Sequence, residues 1–229
     1  MDLLDRVHPV ARGLLDQVDA TLVAAGAPAE HRIWPLLRRI GALPGELVAH
    51  LAGVTPDRLS EASDPLHRQA DGYRLRADAV PMPAAWAGPA ADAFAATWTG
   101  LSGHLAGSGP DSLAGRLADT AAYLDDVKAW LTRGRRALAG TVAECLGSAE
   151  AVALRSAPGT PDWLTGSAAR PATEVATAAA TIGAHVLQAA GEILDDGRAL
   201  HDRWAGRLGE LTYRPPAPTP TGPAHLRIG

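Results

Sequence analysis

The chain has 229 residues, enough for one large domain or two small ones, and 47% are hydrophobic; with one Phe, three Tyr and two Met, that core must be built from Ala, Leu and Val. Alanine has the best helix propensity and a small side chain, so an Ala-rich, Leu-studded chain poor in aromatics reads as closely packed helices and excludes a β-sandwich. A formal net charge of −4 with a sequence pI of about 6.0 provides no basic face, which excludes nucleic acid as a partner.

The N-terminal segment, 1–54, reads as short helices. Its start, "MDLLDRVHPVARG", lacks a basic stretch followed by an apolar one, so no secretory signal is expected, and export would use a route without a cleaved leader. Leu3, Val7, Leu14, Val18 and Leu22 fall on a helical stripe that Pro9 should start or kink, and "APAEH" interrupts it. "WPLLRRIG" and "PGELVAHLAGV" each have Pro near the start and Gly near the end, the polarity of helix ends. Thr55, Pro56 and Asp57 supply a cap, a first-turn proline and a charge that suits the helix dipole. Leu59, Leu66, Ala70, Tyr73 and Ala77 carry that helix to "VPMPAAWAGP", where prolines stop it.

The stretch "PAAWAGPAADAFAATWTGL" then gathers Trp86, Phe94 and Trp98 in a chain with only 4% aromatics. Gly88 permits a positive φ, and Pro89 suits the first turn of a helix over 89–106. Ala91, Phe94, Ala95 and Trp98 share one face of that helix. Trp86, Phe94 and Trp98 are therefore expected to fill the bundle as core or interface residues, Phe94 and Trp98 structural on the helix face and Trp86 half covered at the turn. "GSGP" breaks the helix at 107–110.

Asp111 or Ser112 should cap one unbroken rod to about residue 155, with Leu113, Leu117, Leu124, Val127, Leu131, Leu138, Val142, Cys145, Ala149 and Val152 on its seam. Cys145, the only cysteine, precludes an internal disulfide and reads as an inert buried thiol. A second rod runs through Val175, Ala179, Ile182, Val186, Ala189, Ile193, Leu200, Leu208 and Leu211, after a turn at 156–168 that holds Trp163 and Gly166. The tail over 213–229 is Pro-rich and should be extended. No run of about 18 apolar residues is present, so no membrane span is expected. The fold class is all-α: an elongated antiparallel helical bundle, divided along the chain into 1–54, a hairpin region 55–155, a turn plus long helix 156–212, and the tail.

No constellation for chemistry emerges. The histidines lack ligand spacing, and no nucleophile elbow, phosphate loop or C-x-x-C is present, so neither catalysis nor a cofactor or metal is expected. His201 with Asp202, Asp195 and Asp196 reads as a solvated face, as do Arg133, Arg135 and Arg136. Lys128 is the only lysine, which with the Ala, Gly and Pro load fits a GC-rich genome better than a physical requirement.

Trp86-Ala87-Gly88, followed by Ala90, Ala91, Phe94 and Trp98 between two helical arms, resembles the WXG100 family, the ESAT-6-like helical hairpins exported by type VII (ESX) secretion systems. "LADTAAYLDDVKAWL" onward is similar to the second arm of longer actinobacterial members, so the resemblance covers about 56–155. "WTG" at 98–100 and "WAG" at 204–206 carry no motif role. The resemblance implies a non-enzymatic secreted substrate, or the helical partner of one, with the W-x-G turn as recognition element. Its partners would be a helical WXG100-like protein or a second copy, and a secretion ATPase that reads a composite signal. Two hairpins in one chain would also make the family's four-helix bundle internally. The family's Y-x-x-x-D/E export signal is not matched: Ala77, Val127 and Ala217 stand four residues after Tyr73, Tyr123 and Tyr213. That departure admits two alternatives, a cytoplasmic adaptor or chaperone for a type VII substrate and the delivery partner of a separately encoded toxin.

Overall fold

The computed structural model describes residues 1–80, 86–156 and 172–211. These form eight helices and, among the described residues, no strand: α1 Leu3–Ala25, α2 Ile33–Ile40, α3 Pro44–Gly53, α4 Asp57–Asp78, α5 Pro89–Ala106, α6 Leu113–Leu146, α7 Ala149–Arg155 and α8 Ala172–Glu210. The fold is all-α. The chain divides in space into two compact units, Met1–Asp64 with Ala122–Arg203, and Pro65–Ala121 with Trp204–Gly229. Both are discontinuous in sequence, because α4, α6 and α8 each contribute to both.

The first unit holds most of the core. In α1, Asp2 caps the helix by accepting from the Asp5 amide at 3.1 Å, while Asp5 accepts from the Asp2 amide at 2.8 Å. The helix then continues through Pro9 and buries Leu4, Ala11, Leu14, Leu15, Val18 and Leu22, one stripe at helical spacing. Proline's missing N–H leaves the Asp5 carbonyl without its intrahelical donor, but the packed stripe on either side holds the helix together. Asp19 of α1 accepts from the Gly45 and Glu46 amides at 2.9 and 3.1 Å, and so caps the first turn of α3. Burial pushes the Asp19 carboxyl up, and those two amides oppose the shift.

The part of α8 in this unit is its central helix. Ile182, Ala184, Val186 and Leu187 are all at most 1% exposed, so most of this stretch is buried, while His185 and Gln188 mark its one exposed side. Three glycines let neighbours approach. A Cβ on Gly183 would lie 2.8 Å from Ile33 Cδ1, one on Gly134 2.8 Å from Ile193 Cγ2, and one on Gly197 2.8 Å from the Trp130 ring. The Trp130 indole N–H donates to the Ile193 carbonyl at 2.9 Å. Position 130 thus meets 193 and 197, and Gly134 meets Ile193, while the groove farther along α6 joins Thr141 and Cys145 to His185 and Ala189. Numbers rise on α6 as they fall on α8, so the two pack antiparallel.

The expected single rod over 111–155 is not observed. It breaks at Gly147–Ser148, where α6 and α7 meet at 62°. Ser148 caps α7 by accepting from the Ala151 amide at 3.1 Å. The break changes the helical phase, so Ala151, Ala153 and Leu154 are buried while Ala149 is exposed and Val152 is 50% exposed. The Gln17 side chain ties α1 to the Leu154 carbonyl at 2.6 Å.

The second unit is built from small residues. Its buried side chains among the described residues are Ala70, Ala77, Ala91, Ser112, Ala114 and Ala121, with Trp204 the single large one. The Arg207 guanidinium sits 4.8 Å from the Trp204 ring centroid and pairs with Asp119. Ser112 closes the "GSGP" turn: its hydroxyl reaches the Gly107 and Gly109 carbonyls and accepts from the Gly115 amide at 3.0 Å, which caps α6. The turn anticipated at 156–168, Trp163 and Gly166 included, and the tail lie outside the described residues, apart from the short stretch of the turn that ends α7.

Candidate interaction site at the Trp86–Gly88 turn

Gly88 adopts φ 103° and ψ 178°, a backbone that L side chains rarely take, and sits at the N-cap of α5. Its carbonyl accepts from the Asp92 amide at 3.0 Å, the first bond of the helix. Pro89 follows in the first turn, where no N–H is needed, and the Asp92 charge suits the positive helix end. The turn geometry read from the W-x-G residues is therefore present.

The aromatics separate into two groups. Trp86 is 44% exposed and Phe94 38% exposed; their ring centroids are 5.4 Å apart at 49°. Trp98 is half-buried, and Ala91 is the only buried residue of α5. Of the two places expected for Phe94, core or interface, the structure overturns the core. On the helix, positions 91, 95 and 98 centre on the inward face, while 94 lies about 60° to one side of 91. Trp86 gives Phe94 a stacking partner outside the core, of the tilted kind that aromatic quadrupoles favour. The result is an exposed aromatic pair on a turn whose backbone only glycine takes readily. Both rings present apolar surface to solvent, with Asp92 the one carboxylate in the first turn of α5.

Other candidates resolve differently. Arg135 is not on a solvated face: it is 2% exposed, although Arg133 and Arg136 are exposed as anticipated. Its Nε donates to Asp2 Oδ2 at 2.6 Å, and Nη2 donates to Asp2 Oδ1 at 3.1 Å and Asp5 Oδ1 at 2.6 Å. Nη1 donates to the Val54 and Ala52 carbonyls at 2.7 and 3.2 Å and to that of Leu51. One guanidinium thus joins the acidic start of α1 to the carbonyl end of α3, where the helix dipole favours a cation. The Arg135 hydrogen bond holds the Asp2 carboxyl below its ordinary range. No local signal shows this, since the carboxylates stand 130 and more positions away.

Cys145 is 4% exposed, and burial pushes its thiol up to about 11, with Glu144 and Glu150 adding to the shift, so a reactive thiolate is disfavoured. It borders a groove of about 340 Å³ with Glu144, His185, Gln188 and Glu192. His201 and Asp202 are exposed, and Asp195 is taken up by Arg39 and Arg198, chiefly the former, which lowers its carboxyl. Among the described residues no three His, Cys, Asp or Glu side chains converge on a metal position, and no single helix is long and apolar enough to cross a membrane.

Comparison of the chain with protein families, with curated proteins and with solved structures finds no match.

Proposed function

We propose that the chain is a non-enzymatic component of a type VII secretion system, a WXG100-like substrate or the helical partner of one. It acts by helix–helix association, with Trp86, Gly88, Phe94 and Trp98 forming the recognition element at the start of α5. The observation that carries this reading is the turn itself: Gly88 at φ 103° at the N-cap of α5, two residues after Trp86, with Trp86 stacked on Phe94 and both rings open to solvent. A core-filling role would bury those rings; a recognition role leaves them available. The test is complex formation with a small helical protein encoded beside it, followed by light scattering. The wild-type chain should form a defined complex, Trp86→Ala should weaken it at least tenfold with its helicity intact, and unchanged affinity for Trp86→Ala would remove the recognition role.

A second reading, a cytoplasmic adaptor or chaperone for another type VII substrate, draws on one observation. None of the three tyrosines is followed four residues later by Asp or Glu. Under that reading the chain stays in the cell and its complex forms there.

A further inference from the structure

In the first unit, α1 starts on Asp2, α3 on Asp19 and α7 on Ser148, each an oxygen acceptor. Helix α2 differs. Its N-cap residue is Arg32, whose side chain makes no cap bond, and its first turn holds no acidic residue. The acceptor is instead an imidazole: His31 Nδ1 takes the Ile33 amide at 3.2 Å. A ring nitrogen that accepts must be unprotonated, so the neutral ring carries its proton on Nε2, and a protonated ring has no lone pair to offer. Protonation also sets a cation against the positive end of α2. Other bonds knot the same short segment together. The Pro28 carbonyl accepts from the His31 amide and from the Trp34 indole, both at 2.9 Å. Ile33, 0% exposed, fills the notch that Gly183 leaves on α8, beside Leu22 and Pro44.

We propose that His31 is an acid-sensitive catch: its neutral imidazole closes the start of α2, and protonation opens residues 28–34 while the rest of the first unit stays folded. Opening withdraws Ile33 from its notch and leaves Leu22 and Pro44 around an apolar recess on α8. The charged groups lining the same groove as His31 are Glu30, Arg32 and Arg38. From α8, Gln188 accepts from Arg32 at 3.4 Å and donates to Glu192 at 3.4 Å, with His185 one turn earlier. The last turn of α1, residues 22–25, carries no titratable side chain, and α3 brings Pro44. Burial, and then the adjacent Arg32, hold the imidazole below its ordinary range. The contribution of His31 is therefore full above about pH 6.5 and is lost as pH falls below that value toward the folded pKa. Asp19 has the opposite sign: its carboxyl is pushed up, so acidification favours the fold there and cannot mimic the release of α2. This inference rests on the first unit alone and holds whether or not the chain belongs to a secretion system.

The test is amide hydrogen exchange on the full chain at about pH 7.5 and about pH 5.5, each corrected for the intrinsic exchange rate, a window around the ordinary histidine pKa. In the wild type, protection of the Ile33 and Trp34 amides should fall at least about threefold on acidification, while amides of α8 around Val186 keep theirs. His31→Asn sets a side-chain oxygen near the place of Nδ1 and does not titrate, so it should hold the α2 start closed at both pH values. His31→Phe lacks the acceptor, so its Ile33 and Trp34 amides should already exchange faster at the higher pH. Equal protection of the wild type at both pH values, the same acid response in His31→Asn, full protection in His31→Phe, or an equal loss around Val186 would each overturn the proposal.

Discussion

At the scale of single residues, Arg135 and the Trp86–Phe94 pair make opposite demands. Arg135 is nearly inaccessible and bonded through every nitrogen, so its removal takes the charged donor from Asp2 and Asp5, which keep only each other's backbone amide, and from three carbonyls at the end of α3. Breaking a buried pair from one side is strongly destabilising; since both carboxylates retain some access to water, Arg135→Met should cost about 3 kcal/mol, measured by urea unfolding. The pH dependence has a defined sign. Asp2 titrates below its unfolded value, so its contribution is full above about pH 4 and falls as pH drops through that range toward the folded pKa. Arg135→Met should flatten that acid limb of the stability curve, and an unchanged limb would show that Asp2 gains nothing from the guanidinium. Trp86 and Phe94 are each about two-fifths exposed, so either alanine variant should cost only about 1–2 kcal/mol. A double-mutant cycle should show about 0.5–1.5 kcal/mol of coupling, as for other stacked pairs. A cost of 3 kcal/mol or more for Phe94→Ala, roughly that of a fully buried ring, would contradict the exposed placement.

At the scale of elements, close approach of helices is bought by glycine. Gly183 admits Ile33, Pro44 and Leu22, so Gly183→Val should overpack the first unit and cost about 1–3 kcal/mol, read as a lowered melting temperature. The same scale shows what was legible in the sequence. The bounds of α5, the "GSGP" break and the positive φ at Gly88 follow from Gly, Pro and Ser chemistry, which acts locally. The break between α6 and α7 was missed because Cys145, Ala149 and Val152 keep helical spacing across it. The Gly147-Ser148 pair is a stop followed by a cap, and it was the available signal. Helix continuity through Pro9 and burial of Arg135 were not legible, since each is decided by segments far away in the chain. Phe94 was misplaced for a subtler reason. Its spacing from Ala91 is compatible with the inward face, and only the path of the preceding turn brings Trp86 over it.

At the scale of the molecule, the two units differ in how much apolar surface they bury. The first contains Leu4, Ile33, Leu138, Leu154, Ile182 and Leu187, all fully buried; among its described residues the second buries alanines, Ser112 and one tryptophan. Local opening follows buried apolar contact, so amides of α5 should exchange with solvent well before those of α8 around Val186. Equal protection of the two would show the second unit to be stabilised by something beyond its described core. The proposed role of the exposed aromatic turn is recognition by another protein. That reading is tested most directly by the amount of the chain in culture filtrates of the source strain with and without its type VII secretion ATPase. The account predicts export with the ATPase intact, loss of export when it is deleted, and a similar loss for Trp86→Ala and Gly88→Val in the intact strain. Undiminished export without the ATPase would contradict it.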